Sequence, residues 1–117
     1  MESLQGTHTA VYTSAFNQDY QQILRGDPDN FQVYQVTGNA LSILSNRISY
    51  FFDLQGPSMT VDTACSSSLT ALHLACQSLQ VSESKQAIVG GCSLILTPDR
   101  TIEGTPMKFV FPNLCCC

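Results

Sequence analysis

The chain has 117 residues and a formal net charge of −4, and hydrophobic residues occupy 44% of its positions against 12% for charged ones. Such a composition predicts one small, heavily buried globular domain or part of a larger one, and it excludes a disordered tail. The charges are scattered and no basic cluster occurs, so we expect no nucleic-acid partner and no membrane partner.

The N-terminal segment MESLQGTHTAVY has no charged stretch followed by an apolar core, so it does not predict a signal peptide. No later stretch reaches the length of a membrane span. We therefore expect a cytoplasmic protein.

Two elements are predicted in the first part of the chain. The β-branched residues and loose alternation from about Thr9 to Ser14 predict a strand. A short helix should follow, with Asn17 as its N-cap and with Gly26 and Pro28 at its end.

A longer helix is predicted next, in the segment TGNALSILSNRISYFFDLQGPS. Its apolar residues recur at spacings of three and four, which is typical of a helix that buries one face. We expect Gly56-Pro57 to end it. The predicted buried residues are Leu41, Leu44, Ile48 and Phe51.

The central part of the chain predicts a short strand, SMTVD, followed by a helix from Ser66 to Leu79. This helix carries apolar residues on nearly all sides, so we expect it to be buried all round. The later segment QAIVGGCSLILTPD predicts two strands or one kinked strand, with Gly90-Gly91 allowing a bend or a close backbone approach.

The six cysteines do not have the spacing of a disulfide framework or of a zinc site. Cys65, Cys76 and Cys92 lie inside apolar runs, and the other three end the chain as Cys115 to Cys117. We therefore expect no metal.

Cys65 is the candidate functional residue because it lies between a predicted strand and a predicted helix. A sharp turn there would expose its side chain at a helix N-terminus, as in a nucleophile elbow. The helix dipole and a nearby backbone N–H would then favour attack of a thiolate on a thioester. The three serines after Cys65 suit a first helical turn, where hydroxyls satisfy unpaired N–H donors.

The alternative is that Cys65 is only a small buried residue, as free cysteines often are. For Cys76 and Cys92, in the middle of a predicted helix and a predicted strand, burial is the favoured interpretation. A catalytic cysteine usually needs a histidine, but His73 lies about two turns or roughly 12 Å along the same helix. Nothing in the sequence brings His8 near Cys65.

The segment GPSMTVDTACSSSLTALHLACQSL resembles the active-site segment of β-ketoacyl synthases, especially the ketosynthase domain of fungal-type iterative type I polyketide synthases. The segments TGNALSILSNRISYFFDLQGPS and QAIVGGCSLILTPD resemble the family's flanking segments in the same order. The likeness covers about residues 3–99, and residues 100–117 form a divergent tail.

The resemblance implies an α/β chain with the N-terminal half of a thiolase-like fold, layered αβα. It implies that Cys65 accepts an acyl group from a thioester on the phosphopantetheine of an acyl carrier protein, with its own N–H as one oxyanion donor. Condensation with a malonyl thioester follows. The resemblance also implies a homodimer in which SMTVD pairs across the interface, and no bound cofactor.

Three features of the family have no match in this sequence. The two histidines and the lysine that assist condensation are missing, because neither His8 nor His73 lies in a matching place. The family's first strand, with its glycine-rich turn, is missing as well. We therefore expect a single partial ketosynthase domain over residues 1–117, incomplete for catalysis and prone to aggregate or only marginally folded in isolation.

Two other functions remain as alternatives. In the first, the chain is a non-catalytic protein that associates with an intact ketosynthase through its dimer strand and apolar face. In the second, it is an unrelated cysteine hydrolase, but the position of His73 argues against this function.

Overall fold

The computed structural model describes residues 4–16, 18–26 and 33–98. Strands and helices alternate along the described chain, and the predicted strand at residues 9–14 is confirmed with its bounds. In chain order the elements are β1 (Thr9–Ser14), α1 (Asp19–Arg25), α2 (Gln35–Asn39), α3 (Ser42–Phe52), β2 (Ser58–Val61), α4 (Ser67–Gln80) and β3 (Gln86–Gly91).

The three strands form one parallel sheet in the order β2-β1-β3. In its register, Val11 of β1 lies opposite Ser58 of β2 on one side and Ile88 of β3 on the other. All six residues of β1 are buried. This is the expected environment of a central parallel strand, which has a neighbour at each edge and helices on both faces.

Helices cover the two faces of the sheet. Tyr12 of β1 packs with Ala71 and Ala75 of α4 in the hydrophobic core, whereas Thr13 points to the other face, where α3 packs against β1 and β2. Successive side chains of a strand point to opposite faces, so adjacent residues of β1 contact different layers. The predicted αβα layering is therefore confirmed.

The predicted buried face of α3 is partly wrong. Leu44 and Phe51 are 45% and 73% exposed, whereas Ser45 is completely buried. The hydroxyl of Thr60 in β2 donates to Ser45 Oγ at 3.1 Å, so the small polar residue occupies the closest approach of α3 to the sheet. Ser45 therefore faces the sheet, whereas Leu44 and Phe51 are exposed.

The predicted end of α3 at Gly56-Pro57 is also wrong, because the helix stops at Phe52. Asp53 follows it in the left-handed conformation, with φ of 50°, and Leu54 N–H donates to Ser49 O at 2.8 Å. Such a left-handed residue is a common helix end. Gly56 has a different role, since a Cβ atom there would lie 2.5 Å from the carbonyl oxygen of Thr9.

The helix α4 is not buried all round, which corrects the prediction. Its fully buried side chains are small, and Leu74 is partly buried against the core, whereas Leu69, Leu72 and Leu79 are exposed. One face packs against β1 and β3, and no described element covers the opposite face. We call this opposite face the outer stripe. Its residues are Leu69, Leu72, Cys76 and Leu79.

The segment after α4 contains one regular strand, β3, so the two-strand alternative is wrong. Its register with β1 is continuous to Gly91, without a kink. A close approach occurs at Gly91, where a Cβ atom would collide with the hydroxyl of Ser14, but not at Gly90, which has open space. Cys92 lies just past the strand, and both Cys92 and Cys76 are exposed, which corrects the predicted burial of these two residues.

The helix α1 lies where the sequence predicts a short helix, and Gly26 is its C-cap. Gln18 occupies the N-cap position, while the predicted cap Asn17 and the predicted stop Pro28 lie outside the described residues. None of the helices within the described ranges is both long and apolar enough to cross a membrane.

Candidate active site

The turn between β2 and α4 presents Cys65 to solvent. The strand ends at Val61 and the helix begins at Ser67, and Cys65, two residues before the helix, is exposed. Ala64, in this turn, has φ of 55°, in the left-handed region. The predicted strand–turn–helix arrangement around Cys65 is thus confirmed, and in the described chain Cys65 is not a buried residue.

The buried hydroxyl of Ser67 holds the first half of this turn. Ser67 Oγ accepts a hydrogen bond from Thr63 N–H at 2.8 Å and donates one to Ala64 O at 2.6 Å. Ser67 N–H also donates to Ala64 O, at 3.1 Å. One side chain therefore binds both residues that precede Cys65.

A second set of hydroxyl groups lies on the exposed side of the turn. Ser66 Oγ donates to Thr63 O at 2.8 Å and to Thr63 Oγ1 at 2.9 Å, and Thr63 Oγ1 lies 3.2 Å from Thr70 Oγ1. Ser66 is the N-cap residue of α4, but its side chain makes no capping hydrogen bond. The predicted capping of first-turn N–H groups is therefore wrong for Ser66, whose hydroxyl binds the turn and not the helix.

The backbone N–H of Cys65 has no acceptor among the described residues. The N–H groups on both sides of it are occupied: Ala64 N–H donates to Asp62 Oδ1 at 3.1 Å, and Ser66 N–H donates to Thr63 O at 3.3 Å. An N–H that is unpaired within an otherwise satisfied turn can donate to a substrate oxygen. The candidate nucleophile and one potential oxyanion donor thus belong to the same residue.

The two histidines do not reach this turn. His73 is exposed on α4, eight residues after Cys65, which is roughly 12 Å along a helix. His8 precedes β1, and its carbonyl accepts from Lys85 N–H at 2.9 Å, next to the start of β3. The strands are parallel, so the residue before β1 and the residues after β2 lie at opposite ends of the strands. His8 is therefore about 20 Å from Cys65, the length of a strand of six residues.

A cavity of about 520 Å³ lies elsewhere, between α1, α3 and the segment after β3. Cys92 and Asp19 line it, and Cys65 does not. Asp19 is buried, and its Oδ2 accepts from Leu96 N–H at 3.1 Å, whereas its Oδ1 has no hydrogen-bond partner among the residues that the structure describes. No group of three or more His, Cys, Asp or Glu side chains in the described part could hold a metal.

The sequence identified Cys65 as the candidate residue, but it did not predict the hydrogen bonds that Thr63 and Ser67 make in the turn. Both were visible as part of a run rich in hydroxyl residues, D-T-A-C-S-S-S. Nothing in that run shows which hydroxyl is buried, because burial depends on where α4 lies against the sheet.

The residues of the whole chain match a known family model, described as "Beta-ketoacyl synthase, N-terminal domain", over residues 1–117. Among curated proteins, the chain is 50% identical over 113 residues to the highly reducing polyketide synthase azaB of Aspergillus niger. It is 49% identical over 113 residues to the compactin diketide synthase mlcB of Penicillium citrinum. In each case the match covers 97% of this chain and 4% of the relative.

Solved structures give the same result for the fold. The ketosynthase from module 6 of the bacillaene synthase of Bacillus subtilis 168 superposes with a TM-score of 0.82 and 35% sequence identity. This match covers 96% of the chain and 18% of the solved one. The parallel sheet, its helices and the turn at Cys65 are therefore a fragment of a ketosynthase, and the chain belongs to the β-ketoacyl synthase family.

Proposed function

We propose that Cys65 is the acyl-accepting nucleophile of a polyketide synthase ketosynthase. The observation that carries the proposal is the exposed thiol at the β2–α4 turn, on a residue whose own N–H has no acceptor in the described chain. The relatives at about 50% identity are reducing polyketide synthases, which supports this class of reaction. The site accordingly handles acyl thioesters.

The proposed first step is acyl transfer. The Cys65 thiolate attacks the carbonyl carbon of an acyl thioester, and the Cys65 N–H donates a hydrogen bond to the oxygen as negative charge develops there. The bond between the carbonyl carbon and the donor sulfur then breaks. The donor thiol leaves with the proton that Cys65 gave up, and Cys65 carries the acyl group.

The proposed second step is a condensation that lengthens the acyl group. A malonyl thioester loses carbon dioxide, and the resulting carbanion attacks the Cys65 thioester. A carbon–carbon bond forms and the Cys65 sulfur is released as a thiolate. This step needs acid–base groups near Cys65, and His8 and His73 are too distant. We propose that residues elsewhere in the longer protein provide them.

The partners follow from this chemistry. We propose that both thioesters arrive on the phosphopantetheine arm of an acyl carrier protein, and that the domain works as a homodimer through β2. The strand β2 lies at an edge of the three-stranded sheet, so its outer hydrogen-bonding groups are available for another strand. We propose that residues 1–117 form one partial ketosynthase domain.

The experiment is acylation of the 117-residue chain by a short-chain acyl thioester of N-acetylcysteamine, measured at each cysteine by mass spectrometry of peptides. We expect Cys65 to be acylated at least about tenfold faster than Cys76, another exposed thiol of the same chain. Because Cys76 lies in the outer stripe, the rates are measured at a protein concentration at which sedimentation velocity shows a monomer. Cys65→Ala should remove this fast labelling. Equal labelling of the two cysteines would contradict the proposal.

The same chain tests the second step. With a malonyl thioester added after acylation, we expect no condensed product, because no histidine lies near Cys65. Release of a β-ketoacyl product by the purified chain would show that the 117 residues contain a complete active site.

A further inference from the structure

Ser67 is unusual among the residues around Cys65 because its side chain is buried, with 4% of its surface exposed. Its hydroxyl uses both of its capacities inside the turn, as acceptor from Thr63 N–H and as donor to Ala64 O. Its neighbour Ser68, by contrast, is exposed and makes no side-chain hydrogen bond within the described ranges. The two adjacent serines therefore have different environments.

The residue that Ser67 binds has a backbone conformation that alanine seldom adopts. Ala64 has φ of 55°, where the Cβ atom crowds the following carbonyl group. Such residues persist only where the surrounding structure holds them in place. Both polar backbone groups of Ala64 are held: its N–H by Asp62 Oδ1, and its carbonyl oxygen by the hydroxyl and N–H of Ser67.

We infer that Ser67 is a positioning residue for Cys65. Its hydroxyl holds Thr63 and Ala64 in the turn, and this turn places Cys65 before α4 with its N–H free of an acceptor among the described residues. Ser67 acts through these two residues and does not itself touch the substrate. The inference rests on the proposed acyl transfer to Cys65.

The test compares Ser67→Ala with Ser68→Ala in the 117-residue chain. Acylation by the N-acetylcysteamine thioester is measured as the rate at Cys65 divided by the rate at Cys76. General unfolding would also bring this ratio towards one, so the ratio of a variant is compared only when its circular dichroism spectrum matches that of the unsubstituted chain. We expect Ser67→Ala to lower this ratio about tenfold, because two hydrogen bonds of the turn are lost. Ser68→Ala should leave it within about twofold.

Hydrogen exchange of the Thr63 amide measures how well the turn is held together, and it needs no acyl substrate. Its N–H donates to Ser67 Oγ, so the exchange rate should rise about tenfold in Ser67→Ala and stay unchanged in Ser68→Ala.

A second substitution tests the reason for the effect. Glycine adopts positive φ without steric cost, so Ala64→Gly added to Ser67→Ala should restore most of the Cys65 to Cys76 ratio. If Ser67→Ala does not fold, Ser67→Thr decides, because it keeps the hydroxyl. A folded Ser67→Thr chain with the original ratio supports the inference, and one with the ratio lost overturns it.

The outcomes separate the inference from the proposed function. Equal acylation of Cys65 and Cys76 in the unsubstituted chain would refute the proposed function, and the Thr63 exchange rate would still decide whether Ser67 holds the turn. A Ser67→Ala chain with the original Thr63 exchange rate and the original acylation ratio would overturn the inference while the proposed function stands.

Discussion

The hydroxyl of Thr60 in β2 donates to the hydroxyl of Ser45 in α3 at 3.1 Å, and Thr60 Oγ1 also lies 2.9 Å from Thr13 Oγ1 in β1. Three elements thus meet at one side chain. Ser45 is completely buried and Thr13 nearly so. The hydrogen bonds orient α3 on the sheet and support the strand that leads to Cys65.

Thr60→Val should destabilise the chain by about 1 to 3 kcal/mol, because it leaves the buried hydroxyls of Ser45 and Thr13 without this partner. The measurement is the free energy of unfolding from urea titration followed by circular dichroism. Thr37→Val is the control, since Thr37 is exposed and should change the stability by less than about 0.5 kcal/mol. Equal effects of the two substitutions would contradict the structural importance of the buried hydroxyls.

Gly56→Ala should destabilise the chain by at least about 2 kcal/mol, because the new Cβ atom would lie 2.5 Å from the backbone of Thr9. Backbone atoms cannot move aside as a flexible side chain can. The matched control is Gly90→Ala in β3, where a Cβ atom meets nothing within 4 Å. If the Gly56→Ala chain were as stable as the Gly90→Ala chain, the backbones of Gly56 and Thr9 would have to be farther apart than in the structure.

Leu72→Ser should weaken self-association of the isolated chain about tenfold or more, because Leu72 lies in the outer stripe of α4 and apolar burial favours association. Sedimentation velocity at several protein concentrations measures the effect. Tyr50→Ser is the control, since Tyr50 is also a large, exposed side chain but lies outside the stripe. A concentration-independent monomer before substitution would contradict the predicted association.

His73→Gln should leave the acylation rate of Cys65 within about twofold, because His73 lies roughly two helical turns away and cannot exchange a proton with the thiol directly. The rate is measured by peptide mass spectrometry as for the unsubstituted chain, with Cys65→Ala as the zero reference. A tenfold loss would mean that His73 reaches the site in solution.

Local sequence patterns predicted the type and approximate place of most described elements. The β-branched run at residues 9–14 and the apolar periodicity before Asp53 reflect preferences that act within a few residues, so β1 and α3 were predictable. The same patterns did not predict which faces are buried. Leu44 and Phe51 match a helical apolar face, yet Ser45 is the residue at the sheet.

The sequence by itself determined the family, the order of strand, turn and helix around Cys65, and the identity of the candidate nucleophile, because each depends on residues adjacent in the chain. Only the tertiary structure decided that the hydroxyl of Ser67 is buried in the turn, that Ala64 is left-handed, and that Leu69, Leu72 and Leu79 of α4 are exposed. These properties depend on how closely α4 packs against β1. The small side chains Ala71 and Ala75 allow that close packing, and the opposite face of α4 is exposed because no element of the described chain packs on it.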